Sequence, residues 1–112
     1  AALADLGLHD FPLAFGAMRG KRVGAVLRAL APLRPRPVFT AVDDPHARPA
    51  ASLLKTWRGL GGRGGRVAES PAEALSMAAE LRRDPGQPIV VAGSLYLVGA
   101  VRGMLSPQED GA

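Results

Sequence analysis

Apolar residues recur along this chain in two rhythms, short solid runs and stripes of helical period. Pro12-Leu13-Ala14-Phe15-Gly16 is a compact apolar run that reads as a strand, and Gly16 to Gly20 as the loop leaving it. Val23, Val26, Leu27 and Leu30 then fall at i, i+3, i+4 and i+7, which marks an amphipathic helix that Pro32 stops. Pro37 to Val42 is the next strand. Asp43 to Pro49 is a loop, because Pro45 and Pro49 deny it regular hydrogen bonding. Ala50, Leu53, Leu54 and Trp57 mark a second helix. The segment from Gly59 to Arg66 holds five glycines and two arginines and is expected to be a mobile connection. Val67-Ala68 leaves room for only a short strand. Ser70-Pro71-Ala72-Glu73 is a capping box with proline at the first helical position, and it opens a helix through about Leu81. Asp84-Pro85-Gly86 turns the chain into the strand Ile89-Val90-Val91-Ala92. After Gly93-Ser94, residues Leu97, Val98, Val101 and Leu105 share one helix face. At the other end, Ala1 to Leu6 reads as the last turns of a helix closed by Gly7.

A strand followed by a helix thus recurs four times. Such alternation predicts an α/β fold, a Rossmann-like parallel sheet of about four strands with helices on both faces. One domain is expected over residues 1–105, with a polar tail over 106–112. Ligands in such sheets gather at the carboxyl ends of the strands, so the loops starting at Gly16, Val42, Ala68 and Gly93 are the ones to search. The last is the most pointed. Gly93 permits a sharp turn and Ser94 is placed as the N-cap of the following helix. Unpaired N–H groups at that helix start, with the Ser94 hydroxyl, can hold an anion.

Composition sharpens the picture only a little. The chain has 112 residues, 47% of them hydrophobic, which allows one core and excludes global disorder. Five aromatic residues are few, so leucine, valine and alanine are expected to build the interior. No apolar run approaches a membrane span, and Asp5, His9 and Asp10 break any secretory pattern early. The absence of cysteine excludes disulfides and thiolate metal sites and fits a cytoplasmic protein. A net charge of +4 suits an anionic ligand, but a solvated surface explains it as well and is the favoured reading.

Gly93-Ser94-Leu95-Tyr96-Leu97-Val98-Gly99 resembles the closing motif of folylpolyglutamate synthase and its bifunctional relative dihydrofolate synthase, in the Mur-ligase superfamily. Further segments fit the family's C-terminal domain in order: Phe15-Gly16-Ala17-Met18 with Lys21, Leu27 to Leu33, Phe39-Thr40, and Ser70-Pro71 with Glu73-Ala74-Leu75. The resemblance implies an ATP-dependent ligase of folate metabolism that adds L-glutamate to folate or dihydropteroate through an acyl phosphate. It further implies that ATP and Mg²⁺ serve the complete enzyme and are held mainly by an N-terminal ATPase domain. This chain would then lack that partner domain and the first strand of its own, contribute glutamate- and folate-side contacts, bind no cofactor alone and be inactive alone. Departures from the family pattern occur where Gly20 and Arg22 flank Lys21, at Ala100, and at His46 after the proline of the middle loop.

Four residues are the candidate substrate contacts. By the resemblance Ser94 lies on the glutamate side of the cleft, and Tyr96 follows it, with packing as its competing role. Lys21 offers a mobile positive charge at a helix entrance. His46 could pair with an anionic substrate or move a proton near neutral pH. No catalytic residue and no metal ligand is assigned, since His9 and His46 form no ligand pattern. Two other classes stay open: a stand-alone Rossmann-like binding module, and a small RNA-binding protein using the Arg-Gly loop over residues 58–66.

Overall fold

The computed structural model of the chain describes residues 9–19, 22–42 and 44–93. Their elements are β1 (Pro12–Gly16), α1 (Val23–Leu30), a 3-10 turn (Ala31–Leu33), β2 (Arg36–Thr40), α2 (Ala50–Gly59), β3 (Arg66–Ala68), α3 (Pro71–Glu80) and β4 (Val90–Gly93). All four strands run parallel in the order β3-β2-β1-β4. The expected α/β architecture is therefore present. The proposed helices at 1–6 and after Ser94, and the tail, lie outside the described residues.

The pleat explains which residues meet. Neighbouring residues of a strand face opposite sides of the sheet. Leu13, Phe15 and Phe39 face one side, where they pack with Val23 and Leu27 of α1 and Leu53 and Trp57 of α2. Val38 and Ala68 face the other, against Ala74 and Ala78 of α3. β1 is the central strand, buried along its whole length, and Ala14 lies between Val38 of β2 and Val91 of β4. Both faces of the sheet are covered, as an all-parallel sheet requires.

One expectation holds with an addition and one is corrected. Leucine, valine and alanine make up most of the buried core, but its largest fully buried side chains are Trp57, Phe11, Phe15 and Phe39. The aromatics are few, but these four of the five are gathered on one side. The Phe15 and Phe39 rings meet edge to face at 6.0 Å, and Phe39 lies 6.5 Å from Trp57. The Arg-Gly segment is not a loose connection. It folds around the indole, whose Nε1–H donates to the Arg63 carbonyl at 3.1 Å. Gly62 lies so close to the Trp57 ring that a Cβ would collide with it, and Gly65 (φ +102°) sits against Leu54. Glycine is required there by close approach and backbone sign, not by flexibility.

Strand ends differ from the sequence reading by one or two residues. β2 stops at Thr40 instead of Val42, and β4 takes in Gly93, which pairs with Gly16. The capping box is present: the Glu73 N–H donates to Ser70 Oγ at 3.1 Å. No helix among the described residues is long and apolar enough to cross a membrane.

At the amino edge, Asp10 ties the layers together. Its Oδ2 accepts from Arg83 Nε at 2.6 Å, and its carbonyl accepts from Arg36 Nη2 at 2.6 Å and Gln87 Nε2 at 2.9 Å. Arg36 also donates to the carbonyl of Leu81 and to Gln87 Oε1. Its Nε lies 3.3 Å from Asp10 Oδ1, inside ion-pair range but off the angle of a hydrogen bond.

Candidate functional site

The strand order fixes where a site can form. From β1 the chain steps to β2 and then β3 on one side, whereas β4 returns to the other side of β1. The reversal opens a crevice at the carboxyl ends of β1 and β4, the position at which open parallel sheets bind ligands. Gly16 and Gly93 are paired there, and neither contributes a side chain. Ser94 is the next residue in the chain. Ser94, Tyr96 and Lys21 lie outside the described residues, so of the four candidate contacts only His46 has a described position.

The loops after β1 and β2 are laced together beside this crevice. Met18 and Ala47 form an antiparallel bridge. The Arg19 N–H donates to the His46 carbonyl at 2.8 Å, and the Arg48 N–H donates to the Ala17 carbonyl at 2.9 Å. Asp44 shapes the turn, its Oδ1 accepting the His46 N–H at 2.7 Å. The imidazole of His46 is 82% exposed and its Nδ1 is 3.4 Å from the same oxygen. His46 is thus a rim residue beside a carboxylate, open to solvent.

Sequence reasoning missed the cations that the structure does place here. Arg48 lies along the start of α2, with Nε donating to Ser52 Oγ at 2.9 Å and Nη2 to Thr56 Oγ1 at 2.7 Å. Arg19 donates from Nε to the Ala47 carbonyl at 3.4 Å. Both guanidiniums are held by neutral acceptors, and no ion pair offsets either charge among the described residues. Arg19, Arg48, Pro49 and Ser52 line a hollow of about 500 Å³. Pro49 precedes α2 and gives no side-chain cap, so the first helical N–H groups add to the positive potential. A signal was available in the spacing: Arg48, Ser52 and Thr56 recur at i, i+4, i+8, a polar ladder on one helix face.

The arrangement can hold carboxylates or phosphates by charge-assisted hydrogen bonds, and it offers no nucleophile–base pair. Among the described residues no three His, Asp or Glu side chains converge as a cation site. The sequence also has no Gly-rich loop closing on Lys and Ser or Thr. These residues do not by themselves fit a nucleoside triphosphate with Mg²⁺.

No family model and no curated protein matches the sequence. Two solved structures do. The chain is similar to the folylpolyglutamate synthase of Mycobacterium tuberculosis complexed with ADP, at 26% identity and a TM-score of 0.71, over 86% of this chain and 24% of that one. It is similar to the same organism's synthase in crystal structures complexed with ADP and AMPPCP, at 28% identity and a TM-score of 0.74, over 91% of this chain and 25% of that one. The chain spans about a quarter of the length of each. The resemblance to the C-terminal domain of folylpolyglutamate synthase thus holds in three dimensions as well as in sequence.

Proposed function

We propose that this chain is the C-terminal α/β domain of a cytoplasmic ATP-dependent ligase that joins L-glutamate to folate or dihydropteroate. The observation that carries the reading is the agreement of fold and sequence with folylpolyglutamate synthase over nearly the whole chain. A second domain of the same enzyme supplies ATP and Mg²⁺, and the present domain is inactive without it. Its own task is to hold what does not react. Glutamate brings two carboxylates that stay intact while its amine attacks, and each needs a cationic or N–H partner. Ser94, one residue beyond the β4 end of the crevice, donates its hydroxyl to one of them. Lys21, His46 and Tyr96 are the further candidate contacts, and of these His46 stands at the rim. Arg48, aligned by Ser52 and Thr56, supplies a fixed fork for a second anionic group.

The test is kinetic. A hydrogen bond to a charged group is worth about 1.5–3 kcal/mol, so Ser94→Ala in the complete enzyme raises KM for glutamate roughly ten- to a hundredfold. KM for ATP stays nearly unchanged, because the contact serves glutamate alone and exists in the ground state. Ligation is assayed with labelled glutamate on both dihydropteroate and tetrahydrofolate. A complete enzyme that glutamylates neither acceptor overturns the reading. An unmoved glutamate KM removes Ser94 from the site and leaves it a helix cap.

A further inference from the structure

We propose that the amino edge of the sheet carries a second anion site, built to take a small phosphate-bearing ligand of two or more negative charges. It is a cavity of about 630 Å³, at the opposite end of the strands from the crevice, lined by Arg34, Arg36, Arg63, Arg83 and Asp10 over Trp57. The volume falls within the range of small-molecule sites. Four arginines line the cavity with one carboxylate, and the carboxylate is already spent: both its oxygens are engaged, by Arg36 and Arg83. Those two arginines are thereby fixed in place. Arg34 and Arg63 have no side-chain hydrogen bond or ion pair among the described residues, so their charge is left for a ligand.

Backbone strain marks the same place. Asp10 (φ 54°) and Arg34 (φ 56°) are the two non-glycine residues in the left-handed region among the described residues, and both line this cavity. Such residues persist only where the surroundings over-determine them, and they cluster at functional positions. Here the Asp10 N–H is held by the Leu33 carbonyl at 2.7 Å and the Arg34 N–H by the Ala31 carbonyl at 3.0 Å. The Arg-Gly loop closes the opposite wall through the Trp57 bond to Arg63.

The ligand is small rather than a polynucleotide. Single-strand binders stack bases on exposed aromatic faces, whereas Trp57, the aromatic ring of this cavity, is 2% exposed. Guanidinium forks match phosphate oxygens in pairs, which favours a diphosphate over a simple monovalent anion. The site is independent of the glutamate ligase reading and can stand or fall without it.

The probe is inorganic pyrophosphate, radiolabelled, in equilibrium dialysis against the 112-residue chain at low and moderate salt. The expected result is saturable binding of one pyrophosphate per chain that weakens as salt rises. Arg63→Gln lowers the affinity by about tenfold or more. Arg34→Gly does the same while keeping or raising the melting temperature, because glycine relieves the left-handed backbone as it removes the charge. Arg22→Gln, at the carboxyl-edge start of α1, leaves binding unchanged. Absence of saturable binding overturns the proposal, and so does equal loss in Arg22→Gln, which reports nonspecific attraction to a basic surface.

Discussion

Gly62 shows how much a single residue can be made to carry by the ring beside it. A methyl group at Gly62 would collide with the Trp57 indole, the largest fully buried side chain and one end of an aromatic cluster that reaches Phe15 through Phe39. Gly62→Ala is therefore destabilising by about 1–3 kcal/mol, the usual cost of overpacking, and urea unfolding measures it. Asp10 is the corresponding electrostatic case. The hydrogen bond from Arg83 is the main cause holding its carboxyl below the ordinary value of 3.8, opposed by burial and aided by the charges of Arg83, Arg36 and His9. A lowered carboxylate pKa means that Asp10 stabilises the fold fully above the unfolded value and loses that contribution as pH falls through the folded one. Asp10→Asn keeps a residue that tolerates the left-handed backbone and removes the titration. The wild type loses more melting temperature than the variant between neutral pH and pH values below 3.8, as thermal denaturation across that range records.

Helices and strands were the parts most open to reading from sequence. The stripe from Val23 to Leu30 and the capping box at Ser70 each carry their own start or stop signal, and both helices lie where those signals put them. Strand ends were less legible because β2 and β4 stop where their partners stop, which no local pattern encodes. The Arg-Gly segment was misjudged for a similar reason: its order comes from Trp57 and Leu54, residues earlier in the chain. The cations of the crevice were missed because Arg19 and Arg48 meet only when the loops after β1 and β2 pair. At this scale α3 makes a distinct prediction. Ala74 and Ala78 are fully buried against Val38 and Ala68, and their small size sets how closely the helix lies on the sheet. Ala78→Leu forces α3 outward at a cost of about 1–3 kcal/mol, whereas a leucine at exposed Ala72 changes stability little, and paired melting curves separate the two.

Across the molecule, the two edges of the sheet have different chemistry. The carboxyl edge carries two arginines held by neutral acceptors beside the paired glycines of β1 and β4; the amino edge carries an arginine cavity locked by one aspartate. The strand order adds a consequence in time. β1, β2 and β3 are neighbours in sequence and in space, but the far edge of β1 is completed only by β4, with Leu13 against Val90. During synthesis the ribosome delivers the first three strands as a unit well before that last strand emerges. Until then the most apolar strand of the nascent chain presents an open row of N–H and C=O groups, a template for pairing with another chain. In the finished protein β4 is an edge strand among the described residues, held to β1 over four residue pairs, whereas β1 is paired on both sides. Hydrogen exchange therefore releases the β4 amides ahead of those shared by β1 and β2, and chains truncated before Ile89 accumulate as aggregates while longer ones stay dispersed.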